Sequence, residues 1–439
     1  MKVAFVIEPF KVELLGIAYL ASALKKEGIE VELIKVDKMP LTDEFFKELK
    51  IMNPSVLAYS VATGKHKKFL EINRQIQKRV RIVSIFGGSH PTYYPDLINE
   101  KGVDFIVRGE AEKSFVKLLT KMRLKKTVKR IVGFTTLEEK VDRIALPDRE
   151  FLYKYPENRN NPIKNVMTSR GCRFKCPYCL NSLYRSFYAG QKWVRFRSAE
   201  NVLVECASLK RYPLELIYFQ DDEFLTNPHL EELLSLYKVR VNVPFHCQIR
   251  IELLNEKNVV MLKEAGCHGV TFAAESGDEK VRKELLQRPV SNVKIVEGAN
   301  LLRKYGLSFR VENMVGLPTE TLNQMFETVK LNRKLKAVYN WCSIFQPYPN
   351  LPLANFALDK DLWSGSLNDV KETFFEDTVL KTTIPNEISN LQRLFAFAIF
   401  FKIPEWVLRL MIKVRSNNRL YNKIHVWFKA WRFKTLYDV

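Results

Sequence analysis

Read for its hydrophobic and polar positions, the first part of the chain alternates apolar runs with amphipathic stretches. KVAFVIE, EVELIKV, SVLAYSV, RIVSIFGG and DFIVRG read as strands that are apolar on both sides. Between the first two, Ile17, Leu20, Ala21 and Leu24 recur at helical spacing before Gly28. Strands buried on both faces and alternating with helices predict a parallel, Rossmann-like layer over residues 1–125, with ligands beyond the C-terminal strand ends. Residues 126–160 mix a basic run (Lys125, Lys126, Lys129, Arg130) with an irregular stretch holding Pro147 and Pro156, and read as a linker. A second alternating series fills 161–350: VMTSRG, LIYFQDDE, FHCQIR, GVTFAAESG, FRVENMVGLP and WCSIFQPYP, with helical patterns such as 256–265 and 321–335 between them. Six β/α units in a row predict a partial TIM-type (β/α)6 barrel, its functional groups at the C-terminal strand ends. Polar residues collect there: Asp221, Asp222, Gln248, Arg250, Glu275 and Ser276. Residues 351–439 change character, combining aromatic and aliphatic residues with regularly placed Arg and Lys, and read as helical. The fold class is α/β with a helical C-terminal region.

Composition alters this picture in three places. At 439 residues the chain exceeds the size of one core, so two or three domains are expected. A hydrophobic share of 46% and a charged share of 27% suit a folded protein. The net charge of +21 would favour nucleic acid, anionic lipid or acidic substrates, or reflects lysines scattered for solubility. MKVAFVIEPF is too short in its apolar run for a signal peptide, and 394–401 is too short to span a bilayer, so a cytoplasmic location is expected. Seven cysteines in so long a chain do not resemble a disulfide framework.

Three of those cysteines carry the chemistry. Cys172, Cys176 and Cys179 follow the spacing C-x3-C-x2-C in a loop after a strand, TSRGCRFKCPYC. Thiolates suit iron–sulfur clusters and zinc. A structural zinc would draw a distant fourth ligand from Cys206, Cys247, Cys267, Cys342 or a histidine; a cluster with three protein ligands leaves one iron open to a small ligand.

The triad, with aromatic Tyr178 before its last cysteine, resembles the signature of the radical SAM superfamily. GGSHPT and VDFIVRGEAE, then YFQDDEF, FHCQIR, AAESG and VGLPTET, are similar in order to the subgroup with an N-terminal cobalamin (B12)-binding domain. The resemblance covers residues 1 to about 350. It implies a [4Fe-4S] cluster on Cys172, Cys176 and Cys179, whose open iron chelates S-adenosylmethionine (SAM) and whose electron cleaves it to an adenosyl radical. It also implies that Tyr178 lies against the adenine, Glu275 accepts from the ribose, and Gln248, Arg250 and Arg288 hold the carboxylate or ribose. Gly316 would admit the adenine. For the residues themselves, Arg288 also reads as a solvated helix residue and Arg250 as a partner of Asp221 or Asp222. In the first domain the resemblance places cobalamin over Ser60, Thr63, Gly87 and Gly88. Neither His66 nor His90 carries the Asp of a D-x-H-x-x-G motif, so no histidine ligand is expected. The alternative is a Rossmann-like domain that has lost its cofactor.

Two departures from the family pattern stand out: Thr319 where Gly-Leu-Pro-Gly-Glu-Thr has its second glycine, and Asn350 where Pro-Gly-Thr has its glycine. The reaction most often implied is cobalamin-dependent C-methylation of an unactivated carbon, with cyclisation or rearrangement as the alternative. The substrate would be a small molecule, lipid or peptide, and the electron donor a flavodoxin or ferredoxin. A methylthiotransferase acting on tRNA would carry further cysteines in its first domain, and none precedes Cys172, so nucleic acid is not favoured. A non-enzymatic cobalamin-binding regulator would not need the intact triad. The basic, aromatic C-terminal region reads either as a peripheral membrane contact or as a helical cap on the barrel.

Overall fold

The computed structural model describes residues 1–10, 12–416 and 419–437; the helical region read at 351–439 therefore includes Asn417, Asn418, Asp438 and Val439, which lie outside the described residues. The chain divides into two compact units. The first holds Met1–Asn165, Tyr184–Arg197 and Leu209–Pro213; the second holds Val166–Leu183, Ser198–Ser208 and Leu214–Val439.

The first unit is built on a six-stranded parallel sheet. Its spatial order runs Glu30–Lys35, Lys2–Ile7, Val56–Ser60, Val83–Gly87, Phe105–Val107, Ile131–Val132. The strand Lys2–Ile7 is buried at five successive positions because helices cover both sheet faces. Side chains from both strand and helix, among them Ala4, Val6, Leu57, Tyr59, Phe69, Ile76 and Phe86, close one face of this core. Each such side chain removed from water contributes about 1.5–3 kcal/mol, which is what holds the layer together.

The stretch 126–160 is not a free linker. Its residues Ile131–Val132 form the sixth strand, too brief for any periodicity to reveal. Farther on, Leu146 O accepts from the Ser22 hydroxyl at 2.6 Å, and the Lys154 ammonium donates to Leu33 O at 2.7 Å. Arg149 donates to Glu13 at 2.8 Å with both side chains buried, so the segment is pinned by a charge pair that water does not reach.

The second unit holds the other six-stranded sheet, ordered Tyr339–Ile344, Ser308–Val315, Cys267–Glu275, Phe245–Ile249, Leu216–Phe219, and an edge strand ending at Val166. Each strand neighbours the next in sequence, and the registered pairs are parallel, as a partial barrel requires. The first strand is Ile163–Val166, earlier than the 166–171 read from sequence. Beyond Val166 the chain leaves the sheet because a side chain takes over the backbone's hydrogen bonding. The Asp221 carboxylate accepts from Thr168 N at 3.0 Å and from the Thr168 hydroxyl at 2.9 Å, and it also takes the Ser169 hydroxyl. Helices follow the strands with ordinary caps; Thr321 and Gln324 form a capping box at the start of Leu322–Leu335. After the last strand, Pro352–Asp359, Pro385–Phe400, Glu405–Met411 and Arg419–Tyr437 are helical, and Ile388, Leu391, Leu394, Phe395 and Leu408 pack with Val315 and Ile344 of the sheet.

Candidate active site

In the second unit, the loop carrying Cys172, Cys176 and Cys179 lies at the C-terminal ends of the strands. All three thiols are half-buried, whereas Cys206, Cys247, Cys267 and Cys342 are buried in the core. The loop closes on itself through Cys179 N to Cys176 O (3.1 Å) and the Ser182 hydroxyl to Cys176 O (2.5 Å). Pro177 O accepts from Leu353 N at 3.1 Å, which ties the loop to the helix Pro352–Asp359. Burial pushes the Cys172 thiol up to about 11 and the Cys179 thiol to about 12, with the charge of Asp222 adding to both. Among the described residues, no group of three or more His, Cys, Asp or Glu side chains is placed to hold a single metal ion. A cluster asks for something different, because each thiolate takes its own iron.

Around this loop runs a chain of alternating charge. The Arg250 guanidinium lies 3.8 Å over the Phe174 ring and donates to Cys176 Sγ at 3.5 Å. Its other partner is Glu252, at 2.6 Å, and not Asp221 or Asp222. Glu252 also accepts from Arg288, at 2.9 and 3.2 Å. Arg288 is buried, so it is not a solvated helix residue, and it stands 3.8 Å from Glu275. The Tyr178 hydroxyl donates to Glu275 at 3.0 Å. The sequence reading thus brought Tyr178, Arg250, Glu275 and Arg288 together and missed Glu252, which joins the two arginines. Burial works to raise Glu252, but the hydrogen bonds and charge of Arg288 and then Arg250 hold it down at about 2. Glu275 goes the other way: burial pushes it up to about 7 against the pull of Arg288. Gln248 lies one step along the sheet, within 3.5 Å of Gln220.

Backbone strain marks the same rim. Glu275 sits at φ 64°, where the strand's register shifts, a conformation that costs a non-glycine residue about 1–3 kcal/mol. A second missed residue fixes the turn behind it. Arg282, fully buried, donates to Ser276 O, to Val290 O at 2.9 and 3.1 Å and to Asn292 Oδ1 at 2.7 Å. Gly316 has a packing reason of its own, since a Cβ there would come within 2.9 Å of Ile388.

Both departures from the family pattern fall at left-handed backbone, Thr319 at φ 65° and Asn350 at φ 70°. Asparagine tolerates that region through its own amide, whereas a β-branched residue does not. Thr319→Gly should therefore raise the melting temperature by about 2 °C, a gain of about 1 kcal/mol. Asn350→Gly should leave it nearly unchanged, and calorimetry of the two variants distinguishes them. Equal shifts would refute this account of Thr319.

The first unit presents its own candidate edge. Ser60 and Gly87 are register partners at adjoining strand ends. Val61 N donates to Gly87 O at 2.8 Å, and His90 N to Val61 O at 2.9 Å, so the two loops lie side by side. Gly88, at φ 92°, could carry no Cβ, which would meet Val61 N at 2.6 Å. Thr63 Oγ1 is 3.1 Å from His90 Nδ1, and the His90 ring stacks on His66 at 4.0 Å. Burial holds His90 down at about 3 and lowers His66 as well. Ser60, Thr63, Gly87 and Gly88 are therefore gathered at adjoining strand ends and the loops that follow them.

The sequence reading missed the aromatic group behind the R-G-E motif. Glu110 N donates to the Tyr188 hydroxyl at 2.8 Å, and a Cβ on Gly109 would meet that same oxygen at 2.2 Å. Tyr188, Trp193 and Tyr184 pack with Phe134 and Phe187, and Arg108 lies 4.9 Å over Phe134. Their signal was the density of aromatics in 184–193, which local periodicity could not assign to the first unit.

Comparison with known proteins agrees with both halves. The B12 binding domain profile matches residues 7–119, and the Radical SAM superfamily profile matches residues 166–331. A protein of Pyrococcus horikoshii named as an uncharacterised methyltransferase is 28% identical over 90% of this chain and 89% of its own length. The anaerobic magnesium-protoporphyrin IX monomethyl ester cyclase of Rubrivivax gelatinosus is 26% identical over 88% of this chain and 74% of its own. Among solved structures, the cobalamin-dependent SAM radical enzyme OxsB, with aqua-cobalamin and SAM bound, superposes with a TM-score of 0.71 at 16% identity, covering 99% of this chain and 72% of that one. No helix among the described residues is long and apolar enough to cross a membrane. Carrying both domains in this order, the chain belongs to the radical SAM enzymes that have a B12-binding domain, and its cofactors are a [4Fe-4S] cluster, SAM and cobalamin.

Proposed function

We propose that the chain is a cobalamin-dependent radical SAM methyltransferase acting on an unactivated carbon. The observation that carries the reading is the convergence of the three-cysteine loop on the chain Arg250–Glu252–Arg288–Glu275–Tyr178. The donor set fits the cluster: three soft sulfurs sit on one eight-residue loop, and the Arg250 cation beside Cys176 offsets thiolate charge. When bound, the cluster supplies the electron that cleaves SAM, and cobalamin supplies the methyl group.

The chain's own residues would then bind and orient. Cys172, Cys176 and Cys179 hold three irons. Arg288 and Arg250, with Gln248 beside them, present guanidinium and amide donors to the carboxylate or ribose of SAM. Glu275 accepts from the ribose hydroxyls, donors that would offset the burial now raising its affinity for protons. Tyr178 keeps Glu275 in place and offers its backbone to the adenine, and Gly316 leaves the adenine room. In the first unit, Ser60, Thr63, Gly87 and Gly88 border the sheet edge where cobalamin would lie, with backbone amides and hydroxyls in place of an imidazole.

The test is incubation of anaerobically reconstituted protein, reductant and methyl-labelled SAM with candidate acceptors. The reading expects 5′-deoxyadenosine, S-adenosylhomocysteine and label in the product together. The Rubrivivax relative supports a second reading, cyclisation or rearrangement. That reading expects deoxyadenosine without transfer of label, and such a result would reject methylation.

A further inference from the structure

Three of the six tryptophans behave unlike the rest. Trp193 and Trp363 are 7% and 3% exposed, whereas Trp406, Trp427 and Trp431 are 68%, 58% and 40% exposed. Those three lie in the helical end of the second unit. Along Arg419–Tyr437, Tyr421, Phe428 and Leu436 turn inward, and the opposite side presents Lys423, Trp427, Trp431 and Lys434 at spacings of one helical turn. Trp427 stacks on Trp431 (5.9 Å), and Trp431 meets Phe400 edge-on (5.3 Å), which meets Phe401 (5.0 Å). Phe400 and Phe401 are themselves 43% and 51% exposed. The result is one continuous aromatic surface on a folded core, with Trp406 and Leu410 exposed on the next helix. Its charge is one-sided: residues 400–437 hold nine Lys and Arg against one acidic residue, Glu405.

We infer that this surface docks the protein on an anionic lipid bilayer, with the indoles at headgroup depth and the lysines against lipid phosphates. Tryptophan combines an apolar body with one N–H donor and concentrates at membrane interfaces, and basic side chains beside it add attraction to anionic lipid. A second copy of the chain fits less well. A symmetric dimer would set the same basic surface against itself, where like charges repel. Nucleic acid fits less well too, because Trp427 and Trp431 stack on each other and leave fewer ring faces for bases. The surface lies outside the barrel, so it stands or falls independently of the reaction assigned above.

The experiment is co-sedimentation of the whole protein with phosphatidylglycerol-containing vesicles and with pure phosphatidylcholine vesicles, over a salt series. Partitioning should favour the anionic vesicles by on the order of a hundredfold at low salt and weaken as salt rises. W427E/W431E should lose at least about tenfold, and K423E/K434E should lose the preference for anionic lipid while keeping the parent's circular dichroism and melting curve. Tryptophan emission should shift to the blue on binding in the parent and not in W427E/W431E. Three results would overturn the inference: no vesicle binding, binding equal in parent and variants, or a dimer or polyuridylate complex that W427E/W431E abolishes in protein that never partitions to lipid.

Discussion

Cys176→Ala protein, reconstituted anaerobically with iron and sulfide, should show no [4Fe-4S] absorption and form no 5′-deoxyadenosine from SAM. The reason is coordination arithmetic. Three thiolates leave one iron for SAM; two leave a cluster without enough anchors in a loop already short of other donors. Cys176 is also the thiol that Arg250 approaches, so its loss frees that guanidinium from the cluster side of its ring of partners. Cys206→Ala makes the control, because Cys206 is buried in the helix Ala199–Ser208 and not part of the three-cysteine loop. Iron analysis and product chromatography on both variants decide the matter. A cluster at the parent's iron content in Cys176→Ala would remove the basis of the proposed chemistry, and so would zinc in the parent.

Glu252→Gln carries the second large effect. Glu252 is the shared anion of Arg250 and Arg288, and Arg288 has almost no solvent to fall back on. Leaving a buried cation without its nearest counter-charge costs about 3 kcal/mol. The variant should therefore melt well below the parent at pH 7 and show a raised KM for SAM as both arginines drift. The sign of the pH dependence follows from the depressed affinity of Glu252 for protons. Its contribution is fully present above about pH 4.5 and disappears as the pH falls toward about 2. The gap between variant and parent should hold from neutrality down to about pH 4.5 and narrow below that. A variant as stable as the parent at pH 7, with unchanged KM, would show that Glu252 does not organise the arginines.

The three cysteines were legible because their spacing is local, and the strands were legible because burial on both faces writes continuous apolar runs. Glu252 was not. It lies two residues past Arg250, in a single turn of 3-10 helix, where no periodicity singles it out. Arg282 looked like any basic residue following the E-S-G turn, yet it is buried and makes four hydrogen bonds to three acceptors, on Ser276, Val290 and Asn292. The start of the barrel was placed too late because Ser169–Arg170 is itself a strand, but of a separate two-stranded sheet, and the distant Asp221 holds Thr168 and Ser169 there. Arg288 shows the same limit from the other side: sequence offered solvent or ligand, and folding supplied a third answer in Glu252. These misses are specific polar pairings, the kind of contact that hydrophobic patterning does not encode.

The first unit draws Tyr184–Arg197 and Leu209–Pro213 from a chain that has already entered the second. On the ribosome, then, synthesis of the second unit begins before the first unit is complete. Its aromatic wall has to wait until Trp193 has emerged, by which time the cysteine loop is also outside the tunnel. A cut at residue 160 would strip Phe134 and Leu137 of Tyr188 and Trp193 and leave the first fragment with an open apolar flank.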